Sequence, residues 1–315
     1  MSSPYLGLLA GVLFVSFGSI LVRFAGAPPL ALSFYRIGLA ALCLAPVAGL
    51  PAVRTWPHLS PRARLAIVAS GVALALHFAT WVTSLSYTSI ASSVLLVNTA
   101  PLFAIGFSRF FLGESPPRIV LIAIAVALAG AALIAAGDWS AAPGSLTGSL
   151  LALAGALCLA LYHVAGRGLR DVMPLTAYVF TVWSAAAATL GALCLAGGVP
   201  VSGYGLRPLA CFVGLAVIPT LGGHGLVNRA LRALPAPTVG LFLLGEPVGA
   251  SLLGYLFFGE VPSGSTLAGG VLVLTALVLV LWRRDAGSQR SSAYNRPQGP
   301  SATGAASSQG EAPPA

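Results

Sequence analysis

Charge is what this sequence has least of. Only 7% of its 315 residues are charged and lysine is missing altogether, all 16 basic residues being arginine against 7 acids. A soluble domain carries roughly 25% charged residues, so a soluble globular protein is excluded. The net charge of +9 follows from the shortage of acids, and it gives no argument for a nucleic-acid partner. Lipid headgroups are the expected neighbours of the arginines. Cysteine is scarce too. Cys43, Cys158, Cys194 and Cys211 each lie inside an apolar run without CxxC spacing, which argues against a metal site or disulfide framework and for small buried hydrophobes. HExxH, Walker and GxSxG sequences, paired carboxylates at catalytic spacing and a Gly-rich loop after a strand are all missing. Nothing therefore points to an enzyme, a metal or an organic cofactor.

What fills the space is apolar. With 57% hydrophobic residues and a mean hydropathy of +0.92, the chain belongs in a bilayer. Runs near the roughly 20 residues that span one occur ten times, near 4–23, 28–50, 65–85, 88–110, 119–136, 147–166, 174–196, 208–227, 237–258 and 265–282. The first run ends in Ala25-Gly26-Ala27, which imitates a cleavage site. It lacks a basic leader and is long for a signal sequence, so it reads as a retained helix. With both termini inside, Arg54, Arg62, Arg64, Arg109, Arg118, Arg167, Arg170, Arg229, Arg232, Arg283, Arg284, Arg290 and Arg296 fall on the cytoplasmic side. Arg23 and Arg207 fall outside, the asymmetry that sets orientation.

One stretch occurs twice. A shift of 146 carries Pro101 onto Pro247, Ala104 onto Ala250, Phe111 onto Phe257, Glu114 onto Glu260 and Pro116 onto Pro262. Five spans per copy is an odd number, so the second copy enters the membrane upside down. Inverted repeats of this kind build many secondary transporters, with a site near the bilayer midplane. The predicted units are a first repeat over 1–137, a linker over 138–145, a second repeat over 146–284 and a disordered tail over 285–315, rich in Ser, Gly, Pro, Ala and Gln.

The duplicated unit, Phe34-Tyr35-Arg36 in span 2, Pro101 followed by Gly113-Glu114, and Leu244-Gly245-Glu246-Pro247 followed by Gly259-Glu260 resemble the EamA-type branch of the drug/metabolite transporter superfamily. The similarity covers about residues 5 to 283. It implies a ten-helix basket around a central cavity, often an exporter of amino acids, metabolites or toxic compounds. It identifies the fold far better than the cargo.

Ionisable side chains at bilayer depth cost at least ~2.5–3.5 kcal/mol, so they face the bundle interior or a wet cavity. Arg36 lies roughly 12 Å into span 2 at 1.5 Å per residue. It either snorkels or pins backbone carbonyls, or it is a cavity cation for Glu246 or a substrate carboxylate. Glu246 precedes Pro247, whose missing N–H frees a carbonyl near Leu243. It is either a hydrogen bond between the halves or a proton carrier. His77, Thr80, Trp81 and Ser84 share one helix face. Asn98 and Thr99 precede Pro101, and Gly222, Gly223, His224 and Asn228 add small and polar groups in span 8. The 146 shift sets His224 opposite Phe78, one residue from His77. Each histidine alone reads as a packing residue; together they read as cavity lining. Trp81, Tyr178 and Trp183 offer stacking surfaces. Glu114 and Glu260 read as interfacial turn residues capping the next helix, a gating ion pair being the alternative.

The expected substrate-binding set is thus Arg36, His77, Thr80, Trp81, Asn98, His224 and Glu246, with kinks at Pro101 and Pro247. The sequence predicts an all-α integral membrane protein of the cytoplasmic membrane: ten transmembrane helices, two inverted repeats, a central cavity, both termini cytoplasmic. Its partners are a small-molecule solute and the lipid bilayer, and protein partners are left open. A secondary transporter, possible proton coupling through Glu246 included, is the leading reading. A membrane-embedded enzyme using His77, His224 and Glu246, or a passive channel, are the alternatives.

Overall fold

The computed structural model describes residues 4–112, 118–141, 144–167, 169, 173–230, 239, 242–243 and 245–294, with side chains left aside at 108, 111–112, 120, 138–141, 166–167, 228 and 280–294. The regular structure among them is helical. In order come α1 (Pro4–Ala25), α2 (Pro29–Thr55), a short 3-10 turn (Trp56–His58), α3 (Pro61–Ser84), α4 (Ile90–Val97), α5 (Ala100–Leu112), α6 (Arg118–Ala141), α7 (Ser145–Arg167), α8 (Leu175–Ala196) and α9 (Leu206–Leu215). A π-helical stretch (Ala216–Gly223), α10 (His224–Ala230), α11 (Gly245–Phe258) and α12 (Gly264–Tyr294) complete the order. Among the described residues, seven helical segments are long and apolar enough to cross a membrane, and two shorter apolar helices are Leu121–Gly137 and Gly264–Leu279. The helix that starts at Gly264 runs on to Tyr294, ten residues past Arg284, into what the sequence predicts as a disordered tail. Residues 295–315 lie outside the described residues, as does the turn at Glu114.

Helices in lipid gain little from the hydrophobic effect on meeting one another, so close backbone approach through small residues holds them together. The seam between α6 and α12 shows this. A Cβ built on Gly130 would lie 2.7 Å from the Gly269 carbonyl oxygen, and one on Gly269 would lie 2.5 Å from that of Gly130. Gly11 of α1 meets Gly223 of the π stretch in the same manner. Large apolar side chains such as Leu42, Val47, Leu65 and Leu195 remain exposed, as lipid-facing residues should.

The helices pair across the two halves in a regular way. α1 packs on the 206–230 segment while α3 packs on α7; α1 meets α11 while α4 and α5 meet α7; α2 meets the π stretch while α3 meets α8. Three more pairs are α2 with α8, α4 with α11 and α6 with α12.

Candidate functional site

Two breaks in the helices place the polar groups. Pro101 has no N–H for the carbonyl one turn back, and the fourth apolar run splits into α4 and α5 with a turn at Asn98-Thr99. Pro101 itself stands in the first turn of α5, where the missing N–H costs nothing. Pro247 lies within α11, two residues after Gly245. The second break, inside the π stretch, comes from Pro219. Pro219 cannot donate to Leu215, and the Thr220 hydroxyl donates to that carbonyl instead, at 2.8 Å.

Phe34, Tyr35 and Arg36 point about 100° apart on α2 and meet three different surroundings. Phe34 packs against Gly191 of α8. Tyr35 stacks on Phe212, centroids 4.4 Å apart, and its hydroxyl donates to the Val201 carbonyl. Arg36 turns inward and is only 3% exposed. Its Nε donates to Thr220 Oγ1 at 2.9 Å, so one hydroxyl joins the guanidinium of the first half to the opened helix of the second. The guanidinium carbon lies 4.6 Å from the Phe78 ring centroid and 5.6 Å from that of Trp81, within cation–π range. Arg36 Nη1 and Trp81 Nε1 are buried donors without a hydrogen-bond partner. A Cβ on Gly18 would come within 3.8 Å of that Nη1 and 3.7 Å of Trp81, ordinary contact distances, so α1 passes close beside both groups.

Glu246 faces the same region. Arg36 and Asn98 both lie close enough to act on its carboxyl. Asn98 also donates Nδ2–H to Val94 at 2.9 Å, which fixes the amide at the break between α4 and α5. Ser16 of α1 donates to the backbone carbonyl of Glu246 at 3.4 Å. His77 is buried, its Nδ1 3.0 Å from the Gly155 carbonyl and its ring parallel to Trp81. A carbonyl only accepts, so Nδ1 carries the proton and in the neutral ring Nε2 is left as an acceptor. His163 and His224 are solvent-accessible and act electrostatically with Arg36 and His77.

The sequence-based set divides accordingly. Arg36, Trp81, Asn98, Glu246, His77 and His224 converge. Thr80 spends its hydroxyl on its own helix, at Leu76 and His77, with Gly155 of α7 beside it. Ser84 bonds Ser93 at 2.6 Å, so the far end of that polar stripe is a helix seam. Tyr178 is buried against Ser70 at 3.2 Å. The side chain of Asn228 lies outside the described residues. Sequence reasoning did not single out Thr220 or His163; the proline one residue before Thr220 was the available signal.

Glu260 does cap a helix, though it is α4 of the other half and not the helix that follows. Its Oε2 accepts the Ile90 N–H at 2.9 Å while Oε1 pairs with Arg23 Nη1 at 2.5 Å. Arg23 Nη2 donates to the Thr88 carbonyl at 2.6 Å.

A family model described as the EamA-like transporter family matches the chain twice, over residues 2–136 and 146–282. The pseudopaline exporter CntI of Pseudomonas aeruginosa is 28% identical over 214 residues, 67% of this chain and 73% of its own. The riboflavin transporter of Rhizobium johnstonii is 31% identical over 264 residues, 81% of each chain. A solved crystal structure aligns with a TM-score of 0.58 at 24% identity, covering 89% of this chain and 98% of that one. At that identity the likeness shows the fold alone.

Proposed function

The chain belongs to the EamA-like transporter family, and from that premise we propose that it is a secondary transporter that exports a small organic solute by alternating access. The observation that carries this is Arg36. It is a buried guanidinium that joins the two halves through Thr220, keeps one donor nitrogen unspent and faces the single carboxyl of Glu246. A cation and an acid held apart near the middle of an apolar bundle suit a solute that carries a complementary charge. Arg36 would take an anionic group, Trp81 an apolar or aromatic one, and Asn98, His77 and His224 would orient it. Glu246, beside a neutral amide, would gain and lose a proton in step with solute binding.

The architecture proposed is ten spans in two inverted repeats over 1–137 and 146–284, in the cytoplasmic membrane with both termini inside. The exchange of partners among the helices supports it. If the halves are related by a two-fold axis in the membrane, the pairing of α1 with 206–230 implies that of α3 with α7, and both occur. The pseudopaline relative's name supports export; the riboflavin relative's name supports breadth of cargo in the family.

The test is a thermal-unfolding screen of the purified protein against amino acids, nucleosides, sugars and amphipathic cations. A solute at ~100 times its dissociation constant stabilises by roughly 2.7 kcal/mol. The expected hit disappears in Arg36→Ala. In proteoliposomes that solute should accumulate against its gradient when a pH gradient is imposed, and Glu246→Gln should keep exchange while losing accumulation. Full gradient-driven accumulation by Glu246→Gln would remove the proton-coupling role.

A further inference from the structure

We propose that Arg23 and Glu260 are a gating pair, whose bond shuts one mouth of the transport path and must break for that mouth to open. The inference rests on the alternating-access reading above. Three elements from both halves meet at the pair: the end of α1, the end of α11 and the joint between α3 and α4. Glu260 is aimed by rigid backbone. Gly259 adopts a left-handed φ of 68°, and the Gly259 and Glu260 N–H groups bond back to Tyr255 and Gly254, a helix C-cap that needs a residue without Cβ. From there one carboxylate oxygen takes Arg23 and the other takes the first N–H of α4, while Arg23 also holds the Thr88 carbonyl. The carboxylate thus bridges a cation and a helix N-terminus, both of which favour negative charge.

The position suits a gate better than a fixed staple. The same helices touch again about 21 Å away along α11 at 1.5 Å per residue, where Asn98 meets Glu246 and Ser16 meets the Glu246 backbone. The pair itself is mostly buried, 28% and 23% exposed. Rocking of the halves about the middle contact would part α1, α4 and α11 here. A charged bond suits a reversible closure, because water entering a parting mouth raises the local dielectric and weakens the attraction.

The test needs no solute. Ser92 is fully buried in α4, two residues after Ile90, against Thr266. Ser92→Cys is introduced into the full-length protein, and its rate of reaction with a bulky maleimide is measured, protein without that change supplying the background of native cysteines. Glu260→Gln and Arg23→Gln are each expected to raise the rate about tenfold, the order of a hydrogen bond to a charged group. The double variant should label no faster than either single, since both break one bond. Unchanged rates in folded, monodisperse single variants would overturn the proposal. So would a double variant whose increase is the product of the two singles. If labelling obeys the cycle and no solute is ever moved, the gate stands and the transport reading falls.

Discussion

Arg36 is held in a place where a guanidinium is dear to keep. Thr220, Phe78 and Trp81 offset part of its desolvation, and Nη1 is left without a partner. Replacing such a group by an apolar side chain of similar reach is often neutral or stabilising by about 1–4 kcal/mol. Arg36→Met is therefore expected to leave the empty protein as stable as the parent or more so, by thermal unfolding in detergent, while abolishing stabilisation by solute. A large loss of stability would mean that Arg36 is a structural pin. Arg36 and Glu246 were legible in the sequence because an ionisable residue inside an apolar run has few inexpensive reasons to be there. Thr220 was not. Threonines in apolar helices commonly return their hydroxyl to the carbonyl four residues back, as Thr181 and Thr189 do, and only the opened helix at Pro219 turns this one towards Arg36. His163 stands near the end of its run, where an interfacial residue is unremarkable.

Among the elements, α6 and α12 depend on each other's backbone. Gly269→Ala would set a methyl group against the Gly130 carbonyl, which cannot withdraw as a side-chain tip can. Overpacking of that kind costs about 1–3 kcal/mol. Gly106→Ala, in α5 with nothing within 4 Å of its Cβ, is expected to be neutral or stabilising by up to ~1 kcal/mol. Equal effects of the two would refute the seam. Apolar run length made the membrane-spanning character readable and Pro101 the break before it, because both act locally. Which helix Glu260 caps was not readable, since Ile90 is 170 residues away and only the packing of α4 beside α11 brings it there.

At the scale of the whole molecule, the pairing of helices between halves makes orientation testable. A reporter that matures only in the cytoplasm, fused after Ala315, should be active, and one placed between Ser202 and Gly205 in the joint of α8 and α9 should not. Activity at both positions would refute an odd number of crossings between them. The arginine asymmetry is the ground for this expectation, and the duplication, which the family model matches over residues 2–136 and 146–282, made the second half legible from the first. One detail of that duplication is imperfect: His224 falls opposite Phe78 and misses His77 by one place. The π-helical stretch Ala216–Gly223 precedes both His224 and Pro247, so it leaves that offset untouched. What the widened turn does is local: it accommodates one residue more than an α-helix would over the same rise, and it holds Thr220 where Arg36 can reach it. Deleting Val217 should restore ordinary helical winding, leave the protein folded with the helix beyond the bulge in its present bearing, and shift Thr220 away from Arg36, taking the solute response with it.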